Sequence, residues 1–204
     1  MQAGVVILAA GASTRLGQPK QLLVHENESL LQRAIRAATS SWCEEVVVVL
    51  GANYESVVSD LEGLPVQVVK NEAWQQGMGA SIRCGLQKLL EVNTGIDAVL
   101  LLLCDQPYVD AELLNQLLQK KSEAGIVACT YSETMGTPVL FGKAYFPELL
   151  NLSGQEGAKK LLYKYKAGVA LVPFPFGAVD IDTAADYAAL QDKDVRNLFR
   201  DVRR

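Results

Sequence analysis

The chain has one histidine, His25, and it falls in a predicted turn, His25-Glu26-Asn27-Glu28. A catalytic centre built on imidazole is therefore not expected. Cysteine lacks any pattern: Cys43, Cys84, Cys104 and Cys129 are scattered, without C-x-x-C or zinc spacing. They read as buried free thiols. Half of the 204 residues are apolar, but no run approaches the roughly 18 residues of a membrane span. The apolar segment Val5 to Ala10 has no basic region before it and is too short for a signal peptide. A cytoplasmic location with no membrane partner is the expectation. Positive charge is also scarce, with 19 Lys and Arg against 23 Asp and Glu and a net charge of −4. No basic stripe appears before the last residues, so nucleic acid is not an expected partner. No linker splits the chain, and no internal repeat is visible. Residues 1–190 read as one domain, and 191–204 as a helical or flexible extension without assigned function.

What is present is an alternation of short apolar runs with amphipathic segments, the pattern of an α/β domain. Strands are predicted over Val5–Leu8, Glu45–Leu50, Val66–Val69, Ala98–Leu103, Ile126–Thr130, Val139–Phe141 and Val169–Val172. Ser29 is a candidate N-cap for a helix through Ser40, with Leu30, Leu31, Ala34, Ile35 and Ala38 on one face. Further helices are expected from Gly51-Ala52-Asn53 to near Leu61, over Gly79–Val92, Asp110–Ala124 and Gly157–Tyr165, and after Asp182 or Thr183. Lys20 to Val24 reads as a short extended segment.

The chain is organised around Leu8-Ala9-Ala10-Gly11-Ala12-Ser13-Thr14-Arg15-Leu16-Gly17-Gln18-Pro19-Lys20. A buried strand here turns abruptly into small, flexible and basic residues. Short side chains let backbone N–H groups point at oxygens, and Arg15 and Lys20 add two cations. That is the chemistry of a polyphosphate cradle at a strand's C-terminal end. A dinucleotide fingerprint would need Gly where Ser13 stands. A Walker loop would need four residues between its glycines, and here five separate Gly11 from Gly17. The competing reading is a glycine-rich turn with no ligand.

Four later stretches carry chemistry. Asn71-Glu72-Ala73-Trp74-Gln75-Gln76-Gly77-Met78-Gly79-Ala80-Ser81 leads into a helix whose N-terminus favours anions or nucleotide oxygens. Trp74 reads as a core anchor. The small residues Gly77 to Ser81 read as room for something that comes close. Asp105 follows the most apolar strand, with Pro107 stiffening the turn that aims it. A carboxylate there begins a magnesium site or caps the next helix; Asp110 is better placed to cap. Asp180 and Asp182 would share one face of a strand, with helix capping as the other reading of Asp182. Gly136-Thr137-Pro138 enters a strand either as a plain hairpin or as part of a site.

The motif L-A-A-G-x-S-x-R-x-G-x-x-K resembles the signature of the MobA-like nucleotidyltransferases, and more narrowly of molybdenum cofactor cytidylyltransferases. The stretch N-x-x-W-x-x-G-M-x-x-S from Asn71, the C-D-x-P at Cys104 and the D-I-D-T at Asp180 are similar to the same family. The resemblance implies a Rossmann-like three-layer αβα sandwich with a mostly parallel sheet, of the nucleotide-diphospho-sugar transferase type. It implies that Leu8, Ala9, Ala10, Gly11, Ser13, Lys20, Asn71, Gly77 and Ser81 bind nucleotide. Arg15, Lys20 and Asp105 would be catalytic, and Asp105 and Asp182 would hold Mg²⁺. CTP is the implied donor, because relatives that use GTP carry L-A-G-G where this chain has Leu8-Ala9-Ala10-Gly11. The implied acceptor is a molybdopterin, near Gly136, Pro138, Gly157 and Lys159, with a molybdoenzyme as client. Three positions depart from the family pattern: Thr137, Gln155 in place of Asp, and Lys159 in place of Arg. The alternatives are a sugar-phosphate or alcohol-phosphate nucleotidyltransferase, or a maturation factor that binds and delivers cofactor.

Overall fold

The computed structural model describes residues 2–120 and 125–192. The predicted helix end at 121–124, and all of the C-terminal extension beyond its first two residues, lie outside the described residues.

The apolar runs form a seven-stranded sheet. Its strands are β1 (Ala3–Ala9), β4 (Glu45–Leu50), β5 (Gln67–Lys70), β6 (Ala98–Leu103), β7 (Ile126–Tyr131), β8 (Thr134–Gly142) and β9 (Val169–Pro173). A small hairpin, β2 (Val24–His25) with β3 (Glu28–Ser29), stands apart. The strand order is β5-β4-β1-β6-β8-β7-β9. All neighbours are parallel except at β8, which runs against both β6 and β7. The expected mostly parallel sheet is what forms.

Both faces of this sheet are dry, as parallel strands require. On β1, Ala3, Val5, Ile7 and Ala9 face one core, together with α1 (Leu30–Thr39) and α4 (Ala111–Lys120). The alternate residues Val6 and Leu8, with Ala10 just past the strand, face the other. That side is covered by α3 (Met78–Val92), α5 (Phe146–Leu150) and α6 (Lys159–Lys164). The short α2 (Tyr54–Val57) follows β4, and α7 (Ala184–Gln191) closes the described chain. The result is the three-layer αβα sandwich.

Local chemistry sets the element ends. Ser29 Oγ accepts from the Gln32 amide while the Gln32 side chain accepts from the Ser29 amide, a closed capping box at the start of α1. Asp110 caps α4 through the Leu113 amide at 2.9 Å. Glu26 and Asn27 both have positive φ, which makes the two-residue turn between β2 and β3.

Three expectations need correction. Lys20 to Val24 is not extended: Lys20–Leu22 is a turn of 3₁₀ helix, closed by Leu22 N to Pro19 O and Leu23 N to Lys20 O. Gly136-Thr137-Pro138, expected at the entry to a strand, lies inside one. Ser132 and Glu133 form a tight turn with positive φ, and β8 starts at Thr134. The hairpin forms, and its Gly136 and Thr137 also line a cavity. Asp180 to Asp182 is not a strand. Pro175–Ala178 forms a 3₁₀ turn, and the following segment meets the sheet edge through the Ile181 amide bonded to the Asp105 carbonyl, 3.1 Å. Helix α6 is also shorter than predicted, because residues 157 and 158 precede its first turn.

Strand order positions the site. From β1 the chain moves outward to β4 and β5, then α3 carries it back to β6 on the other flank of β1. The order reverses between β1 and β6. In open α/β sheets ligands bind at that crevice, outside the C-terminal strand ends.

Candidate functional site

Leu8 on β1 pairs with Leu103 on β6, so the loops that follow the two strands leave the sheet side by side. One carries Ala10 to Pro19 and the other carries Asp105. Between them and the start of α3 lies a cavity of about 520 Å³. It is lined by Leu8, Ala9, Ala10, Gly11, Arg15 and Lys20 from the first loop. Asp105 lines it from β6, and Gly77 and Ser81 from the α3 end.

The charges are arranged around Lys20. Its Nζ donates to Asp105 Oδ2 at 2.7 Å and to Asp182 Oδ1 at 2.8 Å. Arg15 Nη2 donates to Asp182 Oδ2 at 2.7 Å. Burial alone would lower the Lys20 pKa. The Asp105 charge and the hydrogen bonds to both aspartates outweigh it and raise the ammonium above its ordinary range. The hydrogen bond from Lys20 holds the Asp182 carboxyl below its usual value, against a smaller opposing effect of burial. Asp180 is shifted the other way, by burial and by the charges of Asp105 and Asp182.

The loop is braced from beneath. Gln21 is almost fully buried, and its Nε2 donates to the carbonyls of Ala9 at 2.7 Å and Gly11 at 3.2 Å. Ser13 has positive φ, and its Oγ accepts from the Lys20 amide at 3.1 Å. The side chain of Ser13 thus fixes Lys20, and Ser13 is not among the residues lining the cavity. Asn71 does not line it either. Its Nδ2 donates to Ser81 Oγ at 3.0 Å and its Oδ1 accepts from the Ala73 amide, with Asn71 and Ser81 both buried. Asn71 supports Ser81 from behind.

Gly77 and Gly79 are small for a different reason from the expected one. A Cβ on Gly77 would sit 2.8 Å from the Gly154 carbonyl oxygen, and one on Gly79 would sit 2.9 Å from that of Glu156. What comes close is the protein's own loop after α5, not an empty ligand slot. Arg83 on α3 ties the start of that loop by donating to the Leu152 carbonyl. Gln155, carried by the loop, lines the cavity. Trp74, expected as a core anchor, is half-buried, packs on the core and also forms cavity wall.

A second cavity, about 230 Å³, shares Leu8, Met78 and Leu103 with the first. Gly136, Gly157 and Lys159 line it, and Pro138 does not. Its other walls are mostly apolar, with the hydroxyls of Tyr131, Thr134 and Thr137, and Lys159 is the only charged residue among the described lining residues.

A hard divalent cation suits this donor set, because it takes carboxylate and phosphate oxygens. Asp105 Oδ1 is buried and has no hydrogen-bond partner, which leaves an anionic acceptor to satisfy. No cluster of three or more His, Cys, Asp or Glu among the described residues could hold a metal alone. Substrate oxygens and water would have to complete its shell.

The family model of the MobA-like NTP transferase domain matches residues 5–169, which includes the loop, Asp105 and the second cavity. The chain belongs to this family. Its fold is that of the nucleotide-diphospho-sugar transferases. Nicotine blue oxidoreductase from Paenarthrobacter nicotinovorans is 32% identical over 166 residues, 77% of this chain and 79% of that one. Purine catabolism protein PucB from Bacillus subtilis is 30% identical over 194 residues, 89% of this chain and 92% of that one. A structure of Rv0371c from Mycobacterium tuberculosis, a complex with manganese, superposes with a TM-score of 0.79. It is 27% identical over 95% of this chain and 100% of that one. The family's members are nucleotidyltransferases by domain, while the names of two relatives point to different processes. The family is one of nucleotidyltransferases, and these two names leave the acceptor open.

The cysteines form no site. Cys104 and Cys129 are buried, with burial pushing each thiol up to about 12, and Cys43 and Cys84 are half-buried. Thiols held protonated in this way are poor nucleophiles. Among the described residues no helix is long and apolar enough to cross a membrane. The residue that sequence reasoning missed is Gln21, which lines the cavity and braces the loop. Gln21 carries no local signal, because the carbonyls it braces lie many positions upstream.

Proposed function

We propose that this chain transfers a nucleoside monophosphate, CMP from CTP, onto the phosphate of a molybdopterin-type acceptor and releases pyrophosphate. The observation that carries this reading is Lys20 held between Asp105 and Asp182 at the rim of the loop cavity. A polyphosphate brings the negative charge that Lys20 and Arg15 are placed to neutralise. Backbone amides of the Ala10–Gly17 loop would orient its β- and γ-phosphates. Asp105 and Asp182 would hold Mg²⁺, and the bound cation would supply charge neutralisation on the phosphates. An acceptor phosphate oxygen attacks the α-phosphorus, the bond to the bridging oxygen breaks, and pyrophosphate leaves. The acceptor is already ionised near neutral pH, so the reaction needs no general base, in keeping with the single histidine.

The second cavity supports the acceptor class. A sugar phosphate is less well matched, because its several hydroxyls would meet mainly apolar side chains, with only Tyr131, Thr134, Thr137 and Lys159 among the lining side chains able to hydrogen-bond them. A flat heteroaromatic acceptor with one anionic group matches apolar walls and Lys159. Asp105→Asn tests the assignment. With CTP, Mg²⁺ and molybdopterin, pyrophosphate release should fall by about 10³-fold, the scale of losing a key electrostatic group. Near-normal turnover in this variant would remove the proposal. A cofactor carrier would instead bind CTP or molybdopterin stoichiometrically, with no pyrophosphate released from the native protein.

A further inference from the structure

Lys20 is fixed at its backbone, so any change of partner must come from its side chain. Its amide is tied to Ser13 Oγ, and its carbonyl accepts the Leu23 amide that closes the 3₁₀ turn. Its ammonium lies between the two carboxylates that would hold a cation, 2.7 Å from one and 2.8 Å from the other. An ammonium has three donors and a single charge. Two of those donors are committed here, yet Asp105 Oδ1 stays unpartnered and buried. Lys20 therefore offsets one of the two carboxylate charges and leaves the pair unsaturated. Arg15 also pins Asp182, but its side chain is 70% exposed and its charge is screened. A free divalent cation approaching the aspartates meets a positive charge already in place. Lys20 also lines the cavity, so a polyphosphate bound there would offer its ammonium a new set of oxygens.

We propose that Lys20 is the resting occupant of the cation site, excluding free divalent metal and releasing the two carboxylates only when a triphosphate captures its ammonium. This rests on the reading that Asp105 and Asp182 hold the metal. Metal and nucleotide then load together, as one complex. No bond forms or breaks in the exchange; one cation replaces another on the carboxylates, and the displaced ammonium gains phosphate oxygens.

The test is a titration of the nucleotide-free full chain with Mn²⁺, with free ion counted by its paramagnetic resonance signal. The native protein should bind Mn²⁺ weakly. Lys20→Met and Lys20→Gln should each bind one ion at least about tenfold more tightly, about 1.4 kcal/mol. Adding Asp105→Asn to Lys20→Met should remove that gain. The proposal is overturned if the native chain binds free Mn²⁺ as tightly as either variant. It is also overturned if neither variant gains affinity, or if the gain survives Asp105→Asn. Two substitutions guard against one that fails to fold, and a tight site in the native chain decides against the proposal by itself. Metal-dependent pyrophosphate release with no gain in the Lys20 variants would defeat this inference alone. A gain in those variants with no release from any triphosphate and acceptor would defeat the transferase reading alone.

Discussion

Gly77 and Gly154 meet backbone to backbone: a Cβ on Gly77 would stand 2.8 Å from the Gly154 carbonyl oxygen and 3.0 Å from Gln155 Cα. Gly77 also has φ +107°, where an L side chain is strained. The contact seats the Gln155 loop against the start of α3 and so shapes one wall of the first cavity. Gly77→Ala should combine backbone strain with a clash and cost about 1–3 kcal/mol. For a chain of this size that is roughly 3–10 °C in Tm. Amide exchange over residues 153–157 should quicken, and nucleotide KM should rise. An unchanged melting curve with native exchange there would show that the loop does not depend on Gly77.

Gln21→Leu keeps the volume and removes the donor beneath the loop. The carbonyls of Ala9 and Gly11 would each lose a partner. Loss of such bonds costs about 1–3 kcal/mol when the groups stay buried. Gln21 Oε1 is itself buried without a partner, and the variant removes that liability too. The net cost should lie near the lower end, about 1 kcal/mol. The larger effect should be on nucleotide binding, read as a reduced thermal shift with CTP and Mg²⁺. A full thermal shift would leave Gln21 no part in shaping the loop.

Much of this architecture is legible locally. Strands β4 and β6 form over Glu45–Leu50 and Ala98–Leu103 as predicted, because dense apolar runs bounded by polar residues permit little else. The Ser29 cap was equally readable, since Gln32 completes a box within one turn. The site is legible only in part. Asp105 stands at a strand end, where its role can be argued from position. The proximity of Asp182 to Asp105 could not be derived from strand periodicity, because no strand carries it there. A compact turn and the single Ile181–Asp105 backbone bond do so. The glycines at 77 and 79 look the same in sequence whether a ligand or a loop fills the space beside them.

The Lys20–Asp182 contact makes a pH-dependent contribution whose sign can be worked out. Asp182 has a folded pKa below its ordinary 3.8. Its contribution is complete above pH 3.8 and is lost as pH falls through the lowered folded value. Lys20 has a folded pKa above its ordinary 10.5. Its contribution is complete below that value and is lost as pH rises through the elevated folded one. Asp182→Asn should therefore destabilise the chain across neutral pH. Asp182 is partly exposed, and screening keeps the cost to about 1 kcal/mol or less. Urea titrations should show the gap between native and variant closing as pH falls below 3.8 and shrinking in about 1 M salt. A gap that stays constant over that range would assign the cost to packing instead of charge.

Ala10 tests the proposed choice of nucleotide. It is 6% exposed, packs in the same core as Leu8 and α3, and lines the first cavity. Its carbonyl is taken by the Ala52 amide at 3.2 Å, which leaves its amide and its methyl group to meet a ligand. If the base packs there, that methyl narrows the space for a purine. Ala10→Gly should then raise GTP turnover relative to CTP by roughly tenfold, because one methyl group in a tight pocket is worth about 1–3 kcal/mol. Competition between the two nucleotides in one reaction reads the ratio directly, free of differences in active fraction. Glycine also adds freedom to the loop, which would weaken both nucleotides alike and leave the ratio untouched. A changed ratio therefore reports the methyl group itself, and an unchanged ratio places base selection elsewhere on the cavity wall.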